Sequence, residues 1–153
     1  MKTLGLSFSL LFSAIVTSCS TEEKTIDARQ RYIGTYAIVS KQSVTVISPD
    51  TSYTESKIIT SKLMVSKDDN IAKIKLKING YGYPALLATL DNNTFELDLH
   101  SVRYKLPSGT RAVVLPEGNG FFVGNRITFN VTIDAISDGL SLRDTSTMTG
   151  KKE

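Results

Sequence analysis

A strict alternation of apolar and polar side chains runs through Ile127-Thr128-Phe129-Asn130-Val131-Thr132-Ile133. Successive side chains of a β-strand point to opposite faces, so this period of two places the apolar residues in a core and the polar residues in water. The same period recurs at 73–78, where lysines alternate with Ile74, Leu76 and Ile78, and at 95–100, where acidic residues and His100 alternate with Phe95, Leu97 and Leu99. These patterns predict half-buried antiparallel strands.

Further strands are predicted on both sides of these runs, at 32–40, 43–48, 53–61, 62–66, 84–90, 110–115 and 140–148. Turn-forming residues separate them at Asp68-Asp69-Asn70, Asn79-Gly80, Asp91-Asn92-Asn93, Pro107-Ser108-Gly109, Glu117-Gly118-Asn119-Gly120, Gly124-Asn125 and Asp138-Gly139. One turn of helix is expected near 26–31. The fold class is therefore all-β, a small antiparallel meander β-barrel of roughly 8–10 strands, with a β-sandwich as the alternative.

The N-terminus has the pattern of an export signal. Residues 4–16 form an apolar segment behind Lys2, shorter than the roughly 20 residues that a membrane-spanning helix needs. Val16-Thr17-Ser18-Cys19 follows, and Cys19 is the only cysteine in the chain. This motif resembles the lipobox of bacterial lipoproteins. The resemblance implies that residues 1–18 are a signal peptide and that Cys19 receives two acyl chains on its sulfur, usually with a third on the new amino group.

Residues 19–30 are predicted to be a lipidated flexible tether, and residues 31–153 the β-barrel domain. More than one acyl chain holds a protein stably on a bilayer, so the membrane is the expected partner through Cys19. The acidic segment Ser20-Thr21-Glu22-Glu23 resembles the export tag of surface lipoproteins in the Bacteroidetes, or is a solvated part of the tether. The expected location is the outer membrane, on its periplasmic face or at the cell surface.

The first strand opens with Tyr32-Ile33-Gly34-Thr35-Tyr36. This is similar to the Gly-x-Trp opening of lipocalin-type barrels, with Tyr36 in place of the tryptophan. Together with the lipobox and the meander, it resembles the calycin-like β-barrel lipoproteins of the Bacteroidetes. In lipocalins a basic residue near the last strand packs across that ring, and the resemblance places Arg143 there, with a solvated outer-face position as the alternative.

Composition and motifs disfavour several function classes. Basic and acidic residues are interspersed at a net charge of +3, unlike the basic stripe of a nucleic-acid-binding protein. His100, the only histidine, continues an outward-facing pattern, so neither a metal site nor a cofactor is expected. Asp68-Asp69 has the chemistry of a turn rather than of a catalytic pair. The chain is therefore expected not to be an enzyme.

Two hypotheses remain for the function. In the first, the barrel of an envelope lipoprotein binds a small apolar or amphipathic ligand, in a lumen lined by some of Tyr36, Ile38, Phe95, Leu97, Phe129 and Val131. In the second, the barrel is solid and docks another envelope component, with Phe121-Phe122-Val123 as a candidate patch. The identity of a protein partner is not predicted. Tyr81 and Tyr83 could stack on a sugar or pack at the barrel lip, and the row Lys73, Lys75 and Lys77 could meet anionic headgroups or remain solvated.

Overall fold

The computed structural model describes residues 27–80, 84–105, 111–137 and 140–153. Within them it contains a short 3₁₀-helix, Ala28–Arg31, where one turn of helix was expected, and nine β-strands. The strands are β1 (Gly34–Ile47), β2 (Ser52–Lys67), β3 (Lys73–Ile78), β4 (Leu86–Asp91), β5 (Thr94–Leu97), β6 (Val102–Lys105), β7 (Arg111–Val123), β8 (Arg126–Ser137) and β9 (Leu140–Lys152). The all-β prediction is confirmed.

The sheet closes on itself. All pairings are antiparallel and the strands follow the order β5-β4-β3-β2-β1-β9-β8-β7, and β5 then pairs with β7 to complete a ring of eight strands. The ninth strand, β6, pairs with the first part of β7, from Lys105↔Arg111 to Val102↔Val114, and β5 pairs with the later part, from Glu96↔Asn119 to Thr94↔Phe121. The structure is thus a barrel, and the sandwich alternative is wrong.

The first two strands are longer than the sequence pattern predicts. The β1–β2 register continues unbroken from Gly34↔Val65 to Ile47↔Ser52, so the predicted breaks after residues 40 and 61 do not exist. Gln42 and Ser61, which lie at these predicted breaks, keep the strand alternation and their side chains point inward. Polar inward positions in mid-strand are unusual, because a buried polar group needs a hydrogen-bonding partner.

The predicted turn at Glu117-Gly118-Asn119-Gly120 is also wrong, because β7 runs straight through it. Both glycines are required by close approach within the sheet. A Cβ at Gly118 would overlap the carbonyl oxygen of Asn130, and one at Gly120 would overlap the side chains of Phe95 and Phe129. The turns at Asn92 (φ 54°) and Gly124 (φ 57°) are as expected. Those at Pro107-Ser108-Gly109 and Asp138-Gly139 lie outside the described residues.

Aromatic rings fill one half of the barrel interior. Phe122 stacks on Tyr32 with ring centroids 4.2 Å apart. Its ring centroid also lies 6.2 Å from that of Tyr36 and 5.3 Å from that of Phe95. The hydroxyl of Tyr36 donates to the carbonyl oxygen of Tyr32 (2.8 Å). Aliphatic side chains complete this core, chiefly Ile38, Leu63, Val65, Ile74, Leu76, Ile127, Val131 and Met148. Leu99, which was expected in the core, is exposed because β5 ends at Leu97.

The 3₁₀-helix covers the aromatic end of the barrel. Asp27 caps the helix by accepting from the backbone N–H of Arg29 (3.0 Å). The buried guanidinium of Arg29 donates to the carbonyl oxygens of Asp68, Asn70 and Lys73 at 2.7–2.9 Å, all around the β2–β3 turn. This tethers the segment before β1 to the wall of the barrel. We call this the closed end.

Of the two positions considered for Arg143, the outer-face position is confirmed and the one across the ring of Tyr36 is wrong. Asp144 and Ser146 of β9 point inward, so Arg143 points outward, where its guanidinium pairs with Asp134 at 2.8 and 2.9 Å. A cation does lie over an aromatic ring at the closed end, but it comes from the other end of the chain. The guanidinium carbon of Arg31 lies 4.6 Å from the ring centroid of Tyr32.

Candidate binding site in the barrel

Polar side chains replace the apolar core farther along the barrel axis. Five inward-facing residues on the adjacent strands β2, β1 and β9 make up this polar cluster: Ser40, Gln42, Ser61, Asp144 and Ser146. Four of them are buried, and Asp144 is only 2% exposed. Burying polar groups costs free energy unless they are hydrogen-bonded, so a set of them inside a barrel of this size is a candidate site.

Strand register brings Gln42, Ser146 and Asp144 together, whereas Ser61 lies deeper in the barrel, opposite Ile38. Gln42 lies directly opposite Ser146 on β9, and opposite Lys57 on the other side, on β2. Asp144 is the next inward position after Ser146 toward the barrel mouth, the end away from the 3₁₀-helix. Beyond the cluster β1 continues to Ile47 with partly exposed side chains, and the inward positions of β2 from Lys57 outward are exposed. The polar cluster therefore lies between the packed core and the mouth.

The hydrogen bonds within the cluster converge on Asp144. The Gln42 amide donates from Nε2 to Oδ2 of Asp144, and the hydroxyl of Ser146 donates to Oδ1 (3.0 Å). In the part of the chain that the structure describes, two buried side-chain atoms have no hydrogen-bonding partner: Oε1 of Gln42 and Oγ of Ser61. Reversing the Gln42 amide would leave Nε2 unpaired instead of Oε1. In either orientation one polar atom of Gln42 is left available for a ligand or an ordered water.

Burial raises the pKa of Asp144 above its ordinary value of 3.8, because the charged form is poorly solvated inside the barrel. Hydrogen bonds from Gln42 and Ser146 and the charge of Lys57 oppose this shift without cancelling it. The protonated carboxyl gains an O–H donor. The cluster therefore combines donors and acceptors around a titrating group, which suits a polar but uncharged part of a ligand.

We expect Asp144→Asn to remove a pH dependence of stability. The folded protein keeps the Asp144 proton above pH 3.8, where the unfolded chain releases it, so this group destabilises the fold increasingly as pH rises toward the folded-state pKa. The asparagine variant lacks this loss, and its free energy of unfolding should exceed that of the wild type more at about pH 8 than at about pH 4. Urea unfolding across this range measures the difference.

Asp134→Asn is the matched control, because the hydrogen bond from Arg143 lowers the pKa of Asp134. That carboxylate stabilises the fold above its ordinary pKa, so its replacement should lower stability at neutral pH instead of raising it. Identical pH profiles for wild type and Asp144→Asn would contradict the buried, proton-retaining state of Asp144.

All six side chains that were predicted to line a lumen are buried inside the barrel. They divide into two groups. Four lie in the core that the aromatic rings fill: Tyr36, Phe95, Leu97 and Phe129. The other two border the polar cluster, since Ile38 lies opposite Ser61 and Val131 lies opposite Ser146. Whether any of the six contacts a ligand stays a prediction.

The other predicted candidates lie on the surface or outside the described residues. Lys73 pairs with Asp98 at 2.7 Å and Lys75 with Asp68 at 2.9 Å, so two charges of the lysine row are neutralised, whereas Lys77 is exposed. His100 is exposed as expected. In the patch at 121–123 only Phe122 is buried. Cys19, Tyr81 and Tyr83 are not among the described residues.

A depression on the outer surface lies where β5 pairs with β7. Its volume is about 530 Å³, and its lining includes Asp91, Glu96 and Phe121. Among the described residues, no three His, Cys, Asp or Glu side chains come together as metal ligands, and no helix there is long and apolar enough to cross a bilayer. The polar cluster is the better candidate for a binding site, because it holds a buried carboxyl and a buried amide oxygen without a partner.

Sequence reasoning missed every member of the polar cluster. Gln42 fell in the gap between two predicted strands and Ser61 at the end of a predicted strand, and on β9 both faces carry polar residues, so the alternation does not show which face is buried. The usable signal was the length of the predicted loops: two residues after residue 40 and none after residue 61, without Gly, Pro or Asn, are too few for a chain reversal.

No protein-family model matches the chain, and no curated protein is similar to it in sequence. Among solved structures, it is similar to a candidate outer membrane protein from Bacteroides fragilis, with 18% identity, a TM-score of 0.48 and coverage of 82% of this chain. The chain spans only 53% of that protein's length. It is also similar to Ail, the attachment invasion locus protein of Yersinia pestis, with 7% identity, a TM-score of 0.39 and coverage of 79% of this chain and 99% of Ail. These matches assign no function, and the calycin-like resemblance stays a prediction.

Proposed function

We propose that this protein is a non-enzymatic envelope lipoprotein, held on the outer membrane by acyl chains on Cys19, whose barrel binds a small amphipathic ligand at the polar cluster. The observation that carries the proposal is the buried Oε1 of Gln42, which has no partner and lies beside the buried carboxyl of Asp144; a second such atom, Oγ of Ser61, lies deeper in the barrel, opposite Ile38. Buried groups of this kind persist when something outside the chain satisfies them.

The surroundings of the cluster define the kind of ligand. Ile38 and Val131 offer apolar surface next to Ser61 and Ser146, and the unpaired atoms offer hydrogen bonds. Small-molecule sites are usually lined mainly by apolar side chains, with a few polar groups that orient the ligand. The ligand is therefore a molecule with an apolar body and a hydroxyl or amide head.

The outward faces of β3 and β9 support attachment through the lipid rather than through these parts of the barrel wall. Lysines occupy the outward positions of β3, and Arg143, Thr145, Thr147 and Thr149 occupy those of β9. A wall that contacts lipid carries apolar side chains outward and polar ones inward. The alternation on β3 and β9 is the reverse, which suits strands that face water in a domain held by a lipid anchor; on β7, Val113, Leu115, Phe121 and Val123 point outward.

Mass spectrometry of protein purified from its own host tests the ligand. We expect wild-type protein to retain a small amphipathic molecule and Gln42→Leu to lose it, because leucine removes both polar atoms of the amide. Thr147→Val is the control, since Thr147 points outward on β9. A wild-type sample without any retained molecule, or equal retention in Gln42→Leu, would refute the ligand site.

Cys19→Ser tests the anchor. With no thiol to acylate, we expect the variant to leave the membrane fraction, because the remaining chain offers no acyl chain to bury. Membrane fractionation and labelling with palmitate measure the effect. A variant that stays in the membrane fraction, or wild-type protein that takes up no label, would contradict the lipoprotein assignment.

A solid barrel that docks another envelope component is the second candidate function. The observation in its favour is the ring contact among Tyr32, Tyr36, Phe95 and Phe122, which fills the half of the interior where a lumen was expected. Pull-down from solubilised membranes would recover a reproducible protein partner if this candidate is right, while Gln42→Leu would not affect that recovery.

A further inference from the structure

One edge of the long strand β2 is open. Residues 52–61 pair with β1 on one side, whereas the β3 partners of β2 begin only at Leu63↔Ile78. No strand among the described residues pairs with 52–61 on the second side. Tyr53 and Ile58 in this segment are 58% and 71% exposed. A long open edge with exposed apolar side chains is a template for another strand.

The hydrogen-bonding direction of the edge follows from the last bond before it. The carbonyl oxygen of Lys62 accepts from the backbone N–H of Asn79 at 2.8 Å, on the side away from β1. Polar groups of alternate residues share a side in an antiparallel strand, so the even-numbered residues point their N–H and C=O groups at the open edge. These residues are Ser52, Thr54, Ser56, Ile58 and Thr60.

The sequence of the edge is complementary to itself. When two copies pair antiparallel along this edge, the residues that point N–H and C=O groups at it lie opposite one another, so even-numbered residues pair with even-numbered residues. The midpoint of each such pair is a whole residue number, and the two-fold axis therefore passes through a residue of the strand. An axis at residue 55 or 57 would place Glu55 against Glu55, or Lys57 against Lys57, and like charges directly opposite destabilise a sheet. An axis at Ser56 places Glu55 against Lys57 twice, and Tyr53 against Ile59 twice.

We propose that two copies of this chain associate through residues 52–60 of β2, antiparallel and with Ser56 on the two-fold axis, so that the two barrels share a continuous sheet. The pairing satisfies the open backbone groups of the edge and forms two reciprocal Glu55–Lys57 ion pairs. Exposed Tyr53 and Ile58 become covered. Opposite charges select this register over its neighbours, which is the usual way that a sheet edge is made specific.

Cysteine cross-linking of the full-length protein in its native membranes tests the contact. Ser56→Cys places two thiols opposite one another at a Cα separation of about 5.5 Å, which is within the range that a disulfide spans. We expect a band at twice the monomer mass on a non-reducing gel, in excess of the unmutated chain that carries Cys19 alone. Thr54→Cys is the control, because in this register residue 54 faces residue 58 and its two copies lie too far apart.

Charge reversals make the test specific for the register. Added to Ser56→Cys, either Glu55→Lys or Lys57→Glu alone should lower cross-linking at least about fivefold, because both ion pairs become repulsive. The double reversal should restore it. Co-expression of the two single reversals with tags of different size should give the mixed cross-linked species, since each copy then meets opposite charges. Equal cross-linking of Ser56→Cys and Thr54→Cys, no cross-linking of Ser56→Cys, or no rescue by the double reversal would overturn the proposal.

Discussion

Phe122→Ala is expected to lower the free energy of unfolding by about 3–5 kcal/mol. The ring of Phe122 is 2% exposed and contacts Tyr32, Tyr36 and Phe95 at once. Truncation removes these contacts and leaves a cavity that rings fixed to different strands cannot close. Typical domains are stable by only about 5–15 kcal/mol, so the variant should unfold at a much lower urea concentration, as measured by circular dichroism.

Phe121→Ala is the matched control for this variant. Phe121 is the preceding residue of β7, points outward and is 44% exposed. Its truncation should change the free energy of unfolding by no more than about 0.5 kcal/mol. A comparable loss in the two variants would mean that the alternation of β7 at this end of the barrel is wrong.

Gly118→Ala is expected to destabilise the fold by about 1–3 kcal/mol, although it adds a single methyl group. That group would overlap the backbone carbonyl of Asn130, and a backbone atom in a paired strand cannot turn aside as a side chain can. Relief requires the β7–β8 pairing to open around Gly118↔Val131. Amide hydrogen exchange of β7 and β8, together with urea unfolding, should detect this opening.

Asn119→Ala provides the comparison for Gly118→Ala. Asn119 is the adjacent residue, its side chain is exposed on the outer surface, and alanine needs less space there than asparagine. We expect little change in stability from it, within about 0.5 kcal/mol. If Gly118→Ala is equally well tolerated, the glycines of β7 are not required by close strand approach, and the predicted turn at 117–120 deserves reconsideration.

The sequence pattern predicted the elements whose two faces differ in polarity. Alternation located β3, β5 and β8, and the turn residues Asn92 and Gly124 marked their ends, because half-buried strands and left-handed turns restrict local residue choice. The sequence alone did not exclude a sandwich, because the β5–β7 pairing that closes the barrel joins residues far apart in the chain and leaves no local pattern.

The errors about strand ends and the missed site have a common cause. The predicted breaks after residues 40 and 61 fall at the places where the barrel interior itself becomes polar. Local patterns record only the average environment of a face. A position such as Gln42, where a polar side chain is buried, departs from that average, and functional sites are where such departures are expected.

The 3₁₀-helix at the closed end sets how the domain would stand on a bilayer. Asp27 lies at that end, and Cys19 is eight residues earlier in the sequence, a separation of at most about 28 Å of extended chain. Two exposed apolar side chains, Ile71 and Val123, lie at turns of the same end and could rest on the headgroups. The mouth, the end nearer Gln42 and Asp144, then faces the aqueous side, away from the lipid.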